Sequence, residues 1–484
     1  MKIKNIFIII LILLFSAGCG ESDLDLYPLT KITEGTFYQN ETQIQQAVDD
    51  IYRQLGRIYN GSGLPDLYGE LSSDNTYIEF TGGATTYNEQ ITDFWIQTNN
   101  GEIQTAWDNC YNAIFICNNL LYQIDNIEFE IDESTKNNYI SQITLIRSLI
   151  YFNMVRAWGA IPYIDTKISP SEAYEYLRVA PSEIYQFIIN DLKFCKQTLP
   201  DSYSGNDIGR VTKYAASAIL AKIYLTNGNT GDAKTELEFI INSNKYSLDA
   251  NNDGNINTDD YLYLFAPDTK NCKASILEAQ YMGGENAMNT NHQYLYTPYH
   301  WAFHLPNVST TYRGGGMNTP TDDLEEEFEE NDPRKETSIY PGYINLDTDV
   351  FVEYPFTMKF FDPNWEYEGQ NFEIIRYADI LLMYSEVTND PQYLNQVRAR
   401  VGMPAFNSDG YPSDKYSTLS LAIEHERRIE LCFEFHRFFD LVRTGRALEV
   451  MQAKGYDIEQ TELLFPIPLR AIDVNPELTQ NPGY

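Results

Sequence analysis

Apolar residues recur at helical spacing through most of this chain, and the places where that spacing fails are equally informative. After Asn40, a good N-cap residue, Ile44, Val48, Ile51, Tyr52 and Leu55 share one stripe and predict a helix over 41–55. The same spacing predicts helices over 102–124 and 134–158, the second opening at Ser134 and closing at Gly159 ahead of Pro162. Further helices are expected over 181–198, 212–226 and 230–243, and again over 374–389, 391–401, 416–434 and 436–453. Ala215, Ala218, Ala221 and Ala233 would let the helices of 212–226 and 230–243 approach closely, as in one tetratricopeptide-like pair. Two stretches, about 60–100 and 244–373, break the pattern with Gly, Asn, Thr and aromatics. Loops that long inside a compact protein usually carry function. The chain therefore reads as mainly α: a helical N-terminal part (36–243) and a helical C-terminal part (374–484) that pack together around an inserted, loop-rich lobe (244–373).

The first residues follow a different rule. Lys2 and Lys4 precede an apolar run from Ile6 to Phe15, and Ser16-Ala17-Gly18 lead into Cys19. Ten apolar residues make a helix about 15 Å long, whereas a bilayer core of roughly 30 Å needs about twenty. Residues 1–18 are thus expected to be an export signal, and the small residues before Cys19 fit a bacterial lipobox in which Cys19 is acylated. Ser16 stands where Leu is commonest, and an ordinary cleaved signal is the alternative.

Charge narrows the partners. With 34 Lys and Arg against 69 Asp and Glu, the net charge is -35, so nucleic acid is excluded as a partner that needs a cationic footprint. The chain is 43% hydrophobic with 37 Tyr and 25 Phe, enough for a large core. The cysteines beyond Cys19 show no CxxC spacing and are expected to be thiols.

One metal motif is sharp. Asp249, Asn251, Asp253, Gly254, Asn255, Ile256, Asn257 and Asp260 fit a twelve-residue calcium loop, with Asp249, Asn251, Asp253 and Asp260 as side-chain ligands, Asn255 through its carbonyl, and Asn257 directly or through water. Calcium would brace the lobe. His300 and His304 lack a third ligand for zinc. No GxSxG, HExxH or GxxxxGK[ST] is present, and no catalytic pair stands out, so an enzyme is not expected. Glu325 to Glu330 reads as a solvated helix face. The charged stretch from Glu424 to Arg443 reads as an ion-pair network, with Glu424/Arg428 and Arg427/Glu430 at helical spacing.

Longer motifs carry a resemblance. Asp25-Leu26-Tyr27-Pro28, Trp158-Gly159 with Ile161-Pro162, Asp332-Pro333-Arg334, the run Arg376-Tyr377-Ala378-Asp379, Asn395 with Val397-Arg398, the Glu426-to-Arg443 ladder, Pro466-Ile467-Pro468 and the terminal Asn481-Pro482-Gly483-Tyr484 closely resemble the SusD-like (RagB/SusD) family over nearly the whole chain. The resemblance implies a helical body with four tetratricopeptide-like units and no catalysis. It also implies a lipoprotein on the outer-membrane surface, a glycan ligand, and a lid-like role over a SusC-like TonB-dependent transporter. Glu21, Asp23 and Asp25 are similar to the surface-export signal of such lipoproteins.

The family motifs concern the scaffold, so the ligand site is argued from chemistry. Sugars want aromatic platforms beside polar donors and acceptors. Two segments supply them: Asp74, Asn75 and Tyr77 with Tyr87 and Trp95, and Tyr296, Tyr299, His300 and Trp301 followed by Arg313. Trp365 is a further candidate. Two functions stay open: a surface protein that hands glycan to a transporter, or a transporter-associated protein for peptides or other nutrients with little glycan affinity.

Overall fold

The computed structural model describes residues 37–78, 86–299, 303–306, 310–364 and 366–484. Its frame is helical: α1 (Glu41–Ile58), α2 (Gly101–Asp125), α3 (Glu133–Trp158), α4 (Pro181–Thr198), α5 (Lys213–Thr226), α6 (Thr230–Ile241), α7 (Tyr377–Thr388), α8 (Pro391–Arg400), α9 (Leu419–Glu430), α10 (Arg437–Arg443) and α11 (Ala447–Ala453). Caps set most boundaries. The Asn40 side chain accepts from the Gln43 N–H to open α1, Asn100 accepts from Glu102 and Ile103 to open α2, and Thr212 accepts from Ala215 to open α5. The cap of α3 is Asp132, not Ser134, and the helix stops at Gly159 with φ 70°.

The helices stack in chain order as neighbouring pairs, α1 with α2, α3 with α4, α5 with α6 and α7 with α8, and α2–α3, α4–α5 and α6–α7 contacts join the pairs. Ala215, Ala218 and Ala221 on α5 and Ala233 on α6 are fully buried, and the two helices pack against each other. No helix among the described residues is long and apolar enough to cross a membrane.

Strands are short: β1 (Thr76–Tyr77), β2 (Ile161–Pro162), β3 (Arg178–Val179), β4 (Ser275–Ala279), β5 (Phe303–His304), β6 (Thr319–Pro320), β7 (Tyr340–Asn345), β8 (Val350–Phe356) and β9 (Phe372–Arg376). All pairings are antiparallel: β1–β6, β2–β3, β4–β9 and the order β5–β7–β8. The lobe is therefore more ordered than its sequence suggests.

Towards the C-terminus the helices depart further from expectation. Residues 374–376 belong to β9, every residue of which is buried; its apolar pair Ile374-Ile375 is too short to show a period that separates strand from helix. The helix expected over 416–434 is α9, which stops at Glu430. Beyond it Phe433 (φ 64°) and Phe435 (φ 63°) adopt left-handed backbone, costly for residues with a Cβ. That kink is clamped from both sides. Glu70 accepts the N–H groups of Phe433 (3.0 Å) and Phe435 (3.2 Å), and Lys359 Nζ donates to the carbonyls of Glu430 (3.0 Å) and Cys432 (2.9 Å). The helix expected over 436–453 is split into α10 and α11 at Gly445, φ 72°.

The charged stretch does form a network, with other partners than its spacing suggests. Glu430 accepts from Arg334, Arg376 and Arg400, while Arg427 donates to Asp379 and Asp440, all at buried or nearly buried positions. Glu424 pairs with Arg446 at 3.0 Å, not with Arg428. Charges on one helix are thus matched across elements, which welds β9, α7, α8, α9 and α10 together. The run from Glu325 is likewise only partly solvated: Glu327 takes His425 and Lys415, and Glu329 takes Arg398 and His425.

Candidate ligand-binding cleft

The site begins where a helical turn (Leu64–Leu71) hands the chain to β1. β1 pairs with β6 in the register Thr76↔Pro320 and Tyr77↔Thr319, which sets Tyr77 beside the segment that follows β6. Thr321 there caps the turn Asp322–Glu327 by accepting from Leu324 N (3.2 Å), and its hydroxyl donates to the Asp74 carbonyl (2.9 Å). Together with Lys454 and Tyr456, just past α11, these residues line a cleft of about 390 Å³: Asp74, Tyr77, Thr321, Asp322, Asp323, Lys454 and Tyr456.

Electrostatics divide this cleft into fixed and free parts. Asp74 is buried, and Arg437 donates to both of its oxygens at 2.7 and 2.9 Å, with Arg428 3.1 Å away. Burial alone would raise its pKa, but the two guanidinium groups hold it well below the usual carboxylate range. Asn75 is equally committed, donating to Glu70 (2.9 Å) and accepting from Arg428 (2.9 Å). The structure corrects both assignments: these polar groups brace the cleft floor and are spent on internal partners. Asp323 takes Arg428 at 2.7 Å and also pairs with Lys454. Asp322 is exposed and makes no ion pair among the described residues. Burial raises the Tyr456 hydroxyl above its usual pKa, so it remains a donor.

Tyr77 and Tyr456 supply the aromatic walls of this cleft. Tyr77 is 39% exposed. The Tyr456 ring meets Phe94 edge-on at 5.7 Å, and the next residue, Trp95, is 44% exposed. Tyr87 is also exposed and lies over Gly101, where a Cβ would come within 2.7 Å of its ring. That glycine keeps the α2 N-terminus close to the tyrosine.

The second predicted segment divides. Tyr296 is 2% exposed and packs between His292 (5.7 Å) and Phe360 (5.8 Å), so the structure corrects it from platform to core. Tyr299 and Arg313 are exposed. His300, Trp301, Trp365 and Cys19 lie outside the described residues. Sequence reasoning missed Thr321, Asp322, Asp323, Lys454 and Tyr456, because they reach the cleft only through β1–β6 pairing and the packing of α11. A larger groove of about 1210 Å³ lies between α2, the 162–176 segment and residues 470–478, with mainly apolar walls that include Phe115, Ile168 and Val474. The smaller cleft carries three carboxylates, Asp74, Asp322 and Asp323, against Asp108 alone in the groove, which favours it for the hydroxyls of a sugar.

The loop 249–260 folds on its own acids. Asp249 accepts from the N–H groups of Asp253 (3.0 Å) and Gly254 (2.9 Å), Asn251 accepts from Asp253 N (2.9 Å), and Gly254 sits at φ 89°. Asp260 turns to the backbone. Its oxygens accept from Ala250, Asn251 and Asn257 N–H groups, closing a capping box on the helix Thr258–Leu264 that Asn257 begins. Asp260 is fully buried among these N–H groups, whereas Asp249 and Asn251 are half-buried and Asp253 and Asn255 are exposed. Among the described residues, no group of three or more His, Cys, Asp or Glu is disposed to hold a metal. Cys110, Cys117, Cys195, Cys272 and Cys432 are free thiols.

Comparison with known proteins gives these features a context. A profile of the SusD family matches residues 214–484, and a second, described as starch-binding and associating with the outer membrane, matches 28–225. A SusD-like protein of Formosa agariphila is 26% identical over 546 residues, covering 100% of both chains. A SusD-like protein of Bacteroides ovatus is 26% identical over 293 residues, 58% of this chain and 50% of that one. Among solved structures, a laminarin-binding SusD-like protein superposes with TM-score 0.77 at 26% identity, covering 92% of this chain and 100% of the other. Surface glycan-binding protein A from Bacteroides thetaiotaomicron, in complex with laminarihexaose, shares the fold at TM-score 0.75 and 21% identity, covering 91% and 99%. With the family profile extending over more than half of its length, this protein belongs to the SusD family.

Proposed function

We propose that this protein is a non-catalytic glycan-binding lipoprotein that captures oligo- or polysaccharide at the Tyr77–Tyr456 cleft and passes it to a SusC-like TonB-dependent transporter. The observation that carries the reading is the exposed aromatic face of Tyr77 in a cleft lined by Thr321, Asp322 and Asp323. Ring faces stack on the apolar side of a sugar while hydroxyls and carboxylates take its O–H groups. Family relatives that bind laminarin or laminarihexaose support a glycan as ligand. An acylated Cys19 would hold the protein at the outer-membrane surface, in keeping with the outer-membrane association in the second profile's description. We also propose that loop 249–260 takes calcium through Asp249, Asn251, Asp253 and the Asn255 carbonyl, as a brace and not as a reactant.

The test uses protein lacking residues 1–19, titrated with laminarin and starch, in wild-type, Tyr77→Ala and Trp95→Ala forms. Losing one stacking face is expected to weaken binding by about fivefold, the equivalent of about 1 kcal/mol. Retention of a transporter partner with no polysaccharide bound would instead support the reading in which the ligand is a peptide or another nutrient. Release of new reducing ends from a bound glycan would contradict the non-catalytic role.

A further inference from the structure

Every positive charge at the cleft is already answered. Lys454 pairs with Asp323, Arg428 contacts Asp74 and Asp323, and Arg437 is forked onto Asp74 with Glu424 3.8 Å away. The acids exceed them. Asp322 at the rim makes no ion pair among the described residues, and Asp93 follows the helix Thr86–Thr92 near Tyr456. The internal segments 79–85, 300–302 and 307–309 contain no Lys or Arg that could reverse this balance, and the chain as a whole carries -35.

We infer that the Tyr77–Tyr456 cleft selects neutral, hydroxyl-rich glycans and rejects chains that carry carboxylate or sulfate groups. The inference rests on the glycan reading above and names the ligand class for that site. An anionic sugar placed on Tyr77 would bring its charge up to Asp322 with no unpaired Lys or Arg among the described cleft residues to receive it, and like charges brought together across an interface discriminate strongly against a ligand. A neutral sugar meets the same carboxylate as a hydrogen-bond acceptor, which charge makes stronger. The acids that deter one class therefore hold the other.

The experiment compares laminarihexaose with an oligogalacturonide of similar length on protein lacking residues 1–19, at low and high salt, for wild type and Asp322→Asn. Wild type is expected to prefer the neutral chain by about tenfold or more at about 20 mM salt, with the preference narrowing at about 0.5 M as screening shortens the reach of the acids. Asp322→Asn keeps an acceptor, removes the charge, and is expected to reduce the neutral-to-anionic affinity ratio by about threefold or more. The salt series tests the same point without a substitution. Equal or tighter binding of the oligogalacturonide at low salt, or a ratio unchanged by both salt and Asp322→Asn, overturns the selectivity and leaves the glycan reading intact. Binding of neither class overturns the glycan reading and the selectivity with it.

Discussion

Lys359 has no exposed surface, and its ammonium donates to the Glu430 and Cys432 carbonyls and to Glu434 at 2.8 Å. Burial disfavours its charge, yet its surroundings, Glu434 included, more than offset that and keep it protonated. These three bonds hold the segment in which Phe433 and Phe435 have left-handed backbone. Lys359→Met would strip the Cys432 carbonyl of its donor and leave the Glu430 carbonyl and Glu434 to Arg376 alone, and is expected to lower stability by about 3 kcal/mol in urea unfolding. An unchanged unfolding midpoint would show that the clamp contributes nothing. Asp74 teaches a related point: a carboxylate beside aromatics in a polar loop looks like a sugar ligand, but forked pairing with Arg437 makes it part of the frame.

At the scale of elements, the β4–β9 pair sets Glu278 directly across from Glu373, both buried. Glu278 accepts from Asn271 N and the Asn371 amide, and Glu373 accepts from the Ser275 hydroxyl. Burial first, and then the facing Glu278, push the Glu373 pKa well above its ordinary 4.5. A raised folded-state pKa means that the folded protein holds this proton more tightly than the unfolded chain. Its contribution is present in full below about pH 4.5 and is lost as pH rises towards the folded value. Glu373→Gln mimics the protonated acid, so its stability relative to wild type should grow between pH 5 and pH 8 by about 1 kcal/mol or more. A difference independent of pH in parallel urea titrations would refute the raised Glu373 pKa. Loop 249–260 gives a second test at this scale. If calcium binds, about a hundredfold excess over Kd should stabilise the protein by about 2.7 kcal/mol, an effect absent in Asp249→Ala. A melting temperature indifferent to calcium and to chelator, with no bound metal by elemental analysis, would remove calcium from the description.

For the whole molecule, the stacked helical pairs present the β1–β6 junction and its cleft, and the proposed tether decides where that cleft works. Cys19→Ala should move the protein from the membrane fraction to the soluble fraction without changing its affinity for glycan in solution, because the anchor acts through local concentration and not through the site. Persistence in the membrane fraction would discard the lipid anchor. Much of this frame was legible beforehand. Asn40, Thr212 and Gly159 mark helix ends by their own chemistry, and small residues along 212–226 and 230–243 announce one close helix pair. β9 was not, since five residues are too few to show a period and its partner β4 lies about a hundred residues earlier. Nor were the partners of Glu424 and Arg428, because helical spacing shows which charges share a face and not which element arrives opposite. The amino-acid sequence alone determined the positions of most helices, the family motifs and the charge. The tertiary structure alone decided that Tyr296 and Asn75 are interior while Tyr77 and Trp95 face solvent, and that Asp322, Lys454 and Tyr456 meet at one cleft. The reason is physical: capping and periodicity are properties of neighbours in the chain, whereas burial depends on whatever distant segment packs on top.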